Sequence, residues 1–340
     1  MQISDEQKND VVRVASWRRR DYDLMAIRSP PRENALVMPY LAEPFQSPPE
    51  SSLGSLHDLP AEVISMICRG LDVLSLFRFR QVNRHARVAV SNLLEYKAMA
   101  NNALDCLRAV LRTGLARRPT FRVLYLSMCS MECAQCGFFG GYLFLPTLER
   151  CCYTCLQESP NLEVVTLSTF SKASGLSQKR LGSLIPIVHT IPGIYTIWEK
   201  KFGKRIKITA KDVAIQSLKE QNLGRDLTNH EFRLSSRQEM LRHMAAVRIP
   251  FLDNSTNNPQ PTFCCKGCQM ILERPGSSHA AGVLRDREYL KDGFLDHFQS
   301  CTEAQSLWTS NSSDTKTIEE PPLFEKGGFV RPLDSSGNER

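Results

Sequence analysis

Cys133 and Cys136 are separated by two residues, and after a gap of fifteen residues Cys152 and Cys155 repeat that spacing. A two-residue spacer lets the backbone turn so that both sulfurs reach one ion. Two such pairs at this distance are a strong signal for structural zinc. Gly137 follows the second sulfur and can close the knuckle in a conformation other residues avoid. Four thiolates leave no open coordination position, which argues against catalytic zinc. A redox pair would need no second Cys-x-x-Cys. Cys151 could replace Cys152, at a spacing of three from the next pair member. A second constellation joins Cys265 and Cys268 to His297 and Cys301. The last two are four apart and share one face of a helix, so both can ligate one ion. The long loop between the halves carries a rival ligand, His279. A buried histidine among Tyr289, Leu290, Phe294 and Phe298, beside two unrelated thiols, is the plainer alternative. The expectation is one or two structural zinc ions.

The rest of the composition bounds the setting. The chain has 340 residues, 42% hydrophobic and 23% charged, a net charge of +7 and 12 cysteines. These are the proportions of an ordinary globular protein of one or two domains. The polar start is not a secretory signal, and no apolar run approaches the ~18 residues of a membrane span. An intracellular protein, nuclear or cytoplasmic, is the expectation. Thiols stay reduced there, which favours metal over disulfides. Cys68 and Cys106 read as packing residues.

Elements must hold these groups. Residues 1–54 are rich in proline and show no lasting period, and read as a disordered tail. From Leu59, short helices follow. Pro60 suits a first turn, Glu62 complements the helix dipole, and Val63, Ile64, Ile67 and Leu71 share a face. Leu74, Leu76 and Phe77 belong to a second helix. Phe79, Val82, Ala86, Val90 and Leu93 make a third. Asn101 or Asn102 caps a helix to Arg112, with Gly114 as its stop. Residues 119–128 read as a strand, and 140–146 as its partner in a hairpin bringing the first two knuckles together. Thr209 with Asp212 opens a helix through Lys219, and Ser236 to Val247 makes another. Residues 253–260 read as a loop, and 311–340 as a disordered tail.

The run from Leu59 to Ala86 resembles an F-box, the adaptor-docking module of Skp–cullin–F-box ubiquitin ligases. The Leu59-Pro60 opening, the helix spacing and the Val82-Asn83-Arg84 stretch carry the likeness. Ala86 departs from it, since many F-boxes place a bulky aromatic there. The resemblance implies that Leu59 and Pro60 insert into a groove of the Skp adaptor. It implies that Val63, Ile64 and Ile67 continue that contact face or the small core behind it, that Leu71, Leu74, Leu76 and Phe77 correspond to the family's middle helix, and that all of these, with Val82, are adaptor-binding residues. The layout of an F-box followed by a Cys-x-x-Cys segment and a late His-Phe-x-x-Cys with Leu307-Trp308 also resembles F-box proteins of filamentous fungi.

The fold expectation is mostly α with a small zinc-stabilised β-hairpin: a three-helix F-box at 55–98, then an irregular α+β region at 99–310 that binds a target protein. The function expectation is a substrate receptor that docks the adaptor, and a cullin through it. The alternative is a zinc-dependent nucleic-acid-binding regulator, for which the basic run Lys200, Lys201, Lys204, Arg205 and Lys207, beside Trp198 and Phe202, is the main support. A ring-type ligase would need its ligand groups closer than a hundred residues. No hydrolase elbow, phosphate loop or dinucleotide fingerprint supports an enzyme.

Overall fold

The computed structural model describes residues 4–42, 52–196, 200–227, 232, 236–312 and 324. From Ser4 onward the described residues are ordered where disorder was expected. Helix α1 (Asp5–Ala15) opens on a reciprocal cap between Ser4 and Gln7 and buries Val11, Val14 and Ala15. Strand β1 (Ser16–Trp17), helix α2 (Tyr22–Met25) and helix α3 (Pro31–Ala42) follow. Tyr22, Met25 and Ala26 are fully buried. The disordered reading is therefore corrected over 5–42. The apolar residues of this arm divide between two distant parts of the chain: Val11, Val14 and Ala15 cluster with Phe298 and Trp308, and Tyr22, Met25 and Ala26 join the main core. Residues 43–51 of that tail lie outside the described residues.

Helices α4 (Ala61–Gly70), α5 (Val73–Arg80) and α6 (Arg84–Asn92) match the three expected from sequence. Asp72 and Asn83 cap the second and third by accepting from the Ser75 and Ala86 amides. Helices α7 (Leu94–Asn102) and α8 (Leu104–Arg112) come next. The first of these runs through both candidate asparagine caps, and the second starts after Ala103. Gly114, at φ +85°, ends the segment as expected.

The expected strand at 119–128 is helix α9 (Phe121–Cys129). Thr120 accepts from the Val123 amide, and Phe121, Leu124 and Met128 fall on one buried face. Composition favoured a strand, but the cap and the three-and-four spacing of the buried residues decide for helix. Strand β2 (Tyr142–Phe144) forms where expected, paired instead with β3 (Glu149–Cys151), which leads into α10 (Tyr153–Glu158).

A middle lobe follows: β4 (Val164–Thr166), α11 (Leu167–Ser174), α12 (Gln178–Leu184), β5 (Val188–His189), β6 (Gly193–Tyr195), β7 (Lys200–Phe202), β8 (Lys207–Ala210) and α13 (Lys211–Glu220). The fourth, eighth and fifth strands make one antiparallel sheet in that order, and β6 pairs with β7. Thr209 is not the expected cap. It is buried in β8 and donates to the Pro186 carbonyl at 2.7 Å.

Helix α14 (Ser236–His243) stops short of Val247, because β9 (Ala246–Arg248) adds to the free edge of β2. The expected loop is the turn of a hairpin, β10 (Phe251–Asp253) with β11 (Asn258–Gln260). Strand β12 (Cys264–Cys265) pairs with β1, joining the N-terminal arm to the segment that precedes the last helices. Helices α15 (Lys266–Glu273), α16 (His279–Arg285), α17 (Lys291–Ser300) and α18 (Thr302–Ser312) complete the described fold. Beyond Ser312 only Phe324 is described, so the expected C-terminal tail lies almost wholly outside the described residues.

One core runs through the F-box-like helices and the rest. It includes Val73, Leu76, Tyr96, Phe121, Leu124, Tyr142 and Met25. The backbone is stitched too: the Phe121 amide donates to the Leu71 carbonyl at 2.9 Å, and the Leu74 amide to Ala116 at 2.9 Å. Two ion networks, the first largely buried and the second partly exposed, tie the N-terminal arm to the C-terminal region. Arg19 holds Asp21 and, at 2.5 Å, Asp286. Arg248 holds Glu288 at 2.7 Å and Asp23 at 3.4 Å. Burial alone would raise the Glu288 pKa; the Arg248 guanidinium outweighs it and keeps the carboxyl below its ordinary value.

Candidate functional site

Helix α4 carries the first candidate surface. Its inward residues, Ile64, Cys68 and the following Leu71, pack against the core. Outward, Leu59 is 36% exposed, Val63 37%, Ile67 42% and Met66 68%. Pro60 is exposed as the N-cap of the helix. Large apolar side chains grouped on one turn-to-turn face make a candidate docking surface, whereas one alone would mean nothing. Val82 is exposed in the joint between α5 and α6. Leu76 is fully buried and Phe77 nearly so, against Tyr96. These two are core residues and correct the expectation that the whole apolar set is a contact face. Leu71 and Leu74 are partly buried behind it. Ala86 is fully buried, so the missing aromatic is accommodated by close packing. Residues 56–97 match the family model of the F-box domain. The chain carries an F-box domain. No curated protein and no solved structure matches the chain.

Behind the F-box, the four ligand atoms of Cys133, Cys136, Cys152 and Cys155 all lie within 4.8 Å of one another. The Cys136 and Cys152 sulfurs are 3.7 Å apart. That is far beyond a disulfide bond and close to the about 3.8 Å edge of a tetrahedron with metal–sulfur bonds of about 2.3 Å. The knuckle is built as its sequence suggests. The Gln135 amide points at the Cys133 sulfur and the Cys155 amide at the Cys152 sulfur, each at 3.4 Å. Gly137 takes φ +77° while its amide donates to the Cys133 carbonyl. Cys152 rather than Cys151 completes the set, because Cys151 is in β3 with its side chain buried in the core. The Cys152 thiol hydrogen-bonds to the Cys133 sulfur, which lowers the pKa of Cys133 and raises that of Cys152.

Sequence reasoning missed what positions this centre. Arg150, buried between the halves, donates to the carbonyls of Gly140, Ser127, Pro250 and Ile249. It ties α9, the β2–β3 hairpin and the chain after β9 into one frame. Burial, with Arg248 nearby, lowers its pKa to about 10.

The second set, Cys265, Cys268, His297 and Cys301, also falls within 4.8 Å. The Cys265 and Cys301 sulfurs are 3.8 Å apart, and His297 Nε2 is 3.3 Å from the Cys268 sulfur. The rival His279 lies elsewhere, exposed and bonded to Glu158 at 3.0 Å. Cys301 is the residue that ends α17. Three features here had no clear sequence signal. Tyr289 stacks on the His297 ring at 4.8 Å. A Cβ on Gly267 would sit 2.5 Å from the Ala304 nitrogen and 3.0 Å from the Cys301 sulfur, so only glycine lets α15 approach α18. Helix α1 covers the centre, with Val11 and Val14 against Phe298 and Trp308, and Trp308 donating to Asp10 at 2.9 Å. Both sets could hold a metal ion.

The basic run is only partly available. Lys201, Lys204 and Lys207 are exposed. Arg205 is bonded to the Thr190 and Arg112 carbonyls. Trp198 lies outside the described residues. No helix of the described residues is long and apolar enough to cross a membrane.

Proposed function

We propose that this chain is a substrate receptor of an Skp–cullin–F-box ubiquitin ligase. The observation that carries this is the F-box match over a segment whose structure presents Leu59, Pro60, Val63, Met66 and Ile67 outward. F-box domains bind the Skp adaptor, and a cullin is reached through it. The chain does no chemistry of its own. It holds a target near a ubiquitin-loaded enzyme and raises the effective concentration of target lysines. Residues after the F-box, together with the N-terminal arm, form the target-binding body.

The two ligand sets bind structural zinc, one ion each. The donor chemistry supports this: a set of four thiolates, or of three thiolates and one imidazole, makes a closed tetrahedral site. The cysteine layout resembling F-box proteins of filamentous fungi accords with two structural centres behind an F-box. The alternative, a zinc-dependent nucleic-acid-binding regulator, draws on the two ligand sets and the exposed lysines of the middle lobe, and a charge run is usually a solvated face.

The test is co-expression of the full chain with an Skp adaptor. A stable one-to-one complex is expected, and the double change Leu59→Ala, Pro60→Ala should abolish it while leaving circular dichroism unchanged. Adaptor binding that survives the double change removes the F-box face from the reading. Retention on immobilised duplex DNA without adaptor binding favours the alternative.

A further inference from the structure

Resting on the receptor reading, we propose that the groove between α9 and the first cysteine knuckle is the target-binding cleft, and that it takes a peptide segment combining bulky apolar and basic side chains. The groove has a volume of about 650 Å³ and is lined by Val123, Leu126, Leu148, Glu132, Glu149 and the knuckle residues 133–137, ligand positions Cys133 and Cys136 included. Val123 is 46% exposed and Leu126 48%. They stand three apart on α9, so both point to one side of it. Their helix is held from behind by Phe121, Leu124 and Met128, which are fully buried. The apolar exposure continues along the knuckle at Met131. A face of this kind on a rigid helix beside a closed metal knuckle is preformed, so a ligand would lose little by ordering it.

The charge of the rim selects the occupant. Glu132 and Glu149 are exposed, line the same groove, and have no ion-pair partner among the described residues. Arg150, the cation lining the groove, is buried, with its guanidinium spent on backbone carbonyls. Two unanswered carboxylates beside an apolar floor favour a lysine or arginine flanked by leucine-like side chains, and repel nucleic acid and acidic peptides. A substrate receptor meets such a segment on any target that presents lysines beside an apolar stretch.

Fluorescence anisotropy of the full chain decides this, with two labelled nonapeptide pools as probes. One mixes Leu, Ile and Phe with Lys and Arg; the other mixes the same apolar residues with Asp and Glu. The basic pool should bind about tenfold more tightly than the acidic one. The pair Glu132→Lys, Glu149→Lys should cancel or invert that preference, and Leu126→Asp should weaken both pools. Metal content and adaptor binding, measured on the same preparations, should not change. Equal binding of the pools, or a preference that survives charge reversal, overturns the proposal. So does self-association of the wild type that Leu126→Asp abolishes, since the groove is then an interface between copies. Failure to bind the adaptor, with the pool preference intact, would count against the receptor reading and not against the cleft.

Discussion

At the scale of single residues, the two ligand sets make separable claims. Cys133→Ser should remove one zinc ion by elemental analysis, because three remaining donors leave a weak, open site. His297→Ala should remove the other and leave the first in place, since the sets share no residue. Gly267→Ala should act like His297→Ala although it changes no ligand: its Cβ would meet the Ala304 backbone, which cannot give way as a side-chain tip can. Full zinc content in Gly267→Ala would show that α15 and α18 can separate without loss. His243 offers a pH test. Burial, with Arg242 beside it, lowers its pKa from 6.5 to about 4, and its Nδ1 has no hydrogen-bond partner. Tyr153 is the other titratable ring near it. The unfolded chain therefore binds this proton more readily, so stability is fully present above pH 6.5 and falls as the pH drops toward 4. Urea midpoints at pH 7 and pH 5 should differ less in His243→Gln than in the wild type.

At the scale of elements, the first helix and the last two belong together. Strand β1 pairs with the strand holding Cys265, and α1 lies over Phe298 and Trp308. Deleting residues 1–17 should therefore lower the zinc content from two ions to about one, and expose Phe298 and Trp308 to solvent. Retention of both ions by the truncated chain would show that α1 is a cover and not a support. Helix α9 makes a different point. Its β-branched and aromatic content reads as a strand, yet Thr120 caps it and its buried residues share a helical face. As a helix it presents Val123 and Leu126 together; as a strand it would have turned them to opposite sides.

At the scale of the whole molecule, the F-box is not a separate bead. Phe121 is fully buried, stacks on Tyr96 at 5.8 Å, and hydrogen-bonds through its amide to Leu71. Phe121→Ala, outside the matched segment, should cost about 3–5 kcal/mol and lower the melting temperature of the F-box with that of the remainder in one transition. Two resolved transitions in calorimetry, one unaffected, would show that the F-box melts alone. The shared core gives the receptor reading a physical basis. A target held on the body is held at a fixed position relative to the adaptor, which a flexible joint would not provide.

Features whose chemistry is local were legible in the residues alone. The Leu59-Pro60 opening, the three helices after it, both ligand sets and the strand at 142–144 follow from spacing, caps and turns within a few residues. Packing between distant parts of the chain settled the rest. It chose Cys152 over Cys151 and His297 over His279, because only packing brings the chosen atoms within 4.8 Å of their partners. It ordered the N-terminal arm, whose Val11, Trp17 and Tyr22 have no period to read and gain their burial from residues more than a hundred positions away. It turned Leu76 and Phe77 inward and left Val63 and Met66 outside. Sequence periodicity marks which face of a helix is apolar; whether that face meets the chain's own core or is left for a partner depends on where every other element comes to lie.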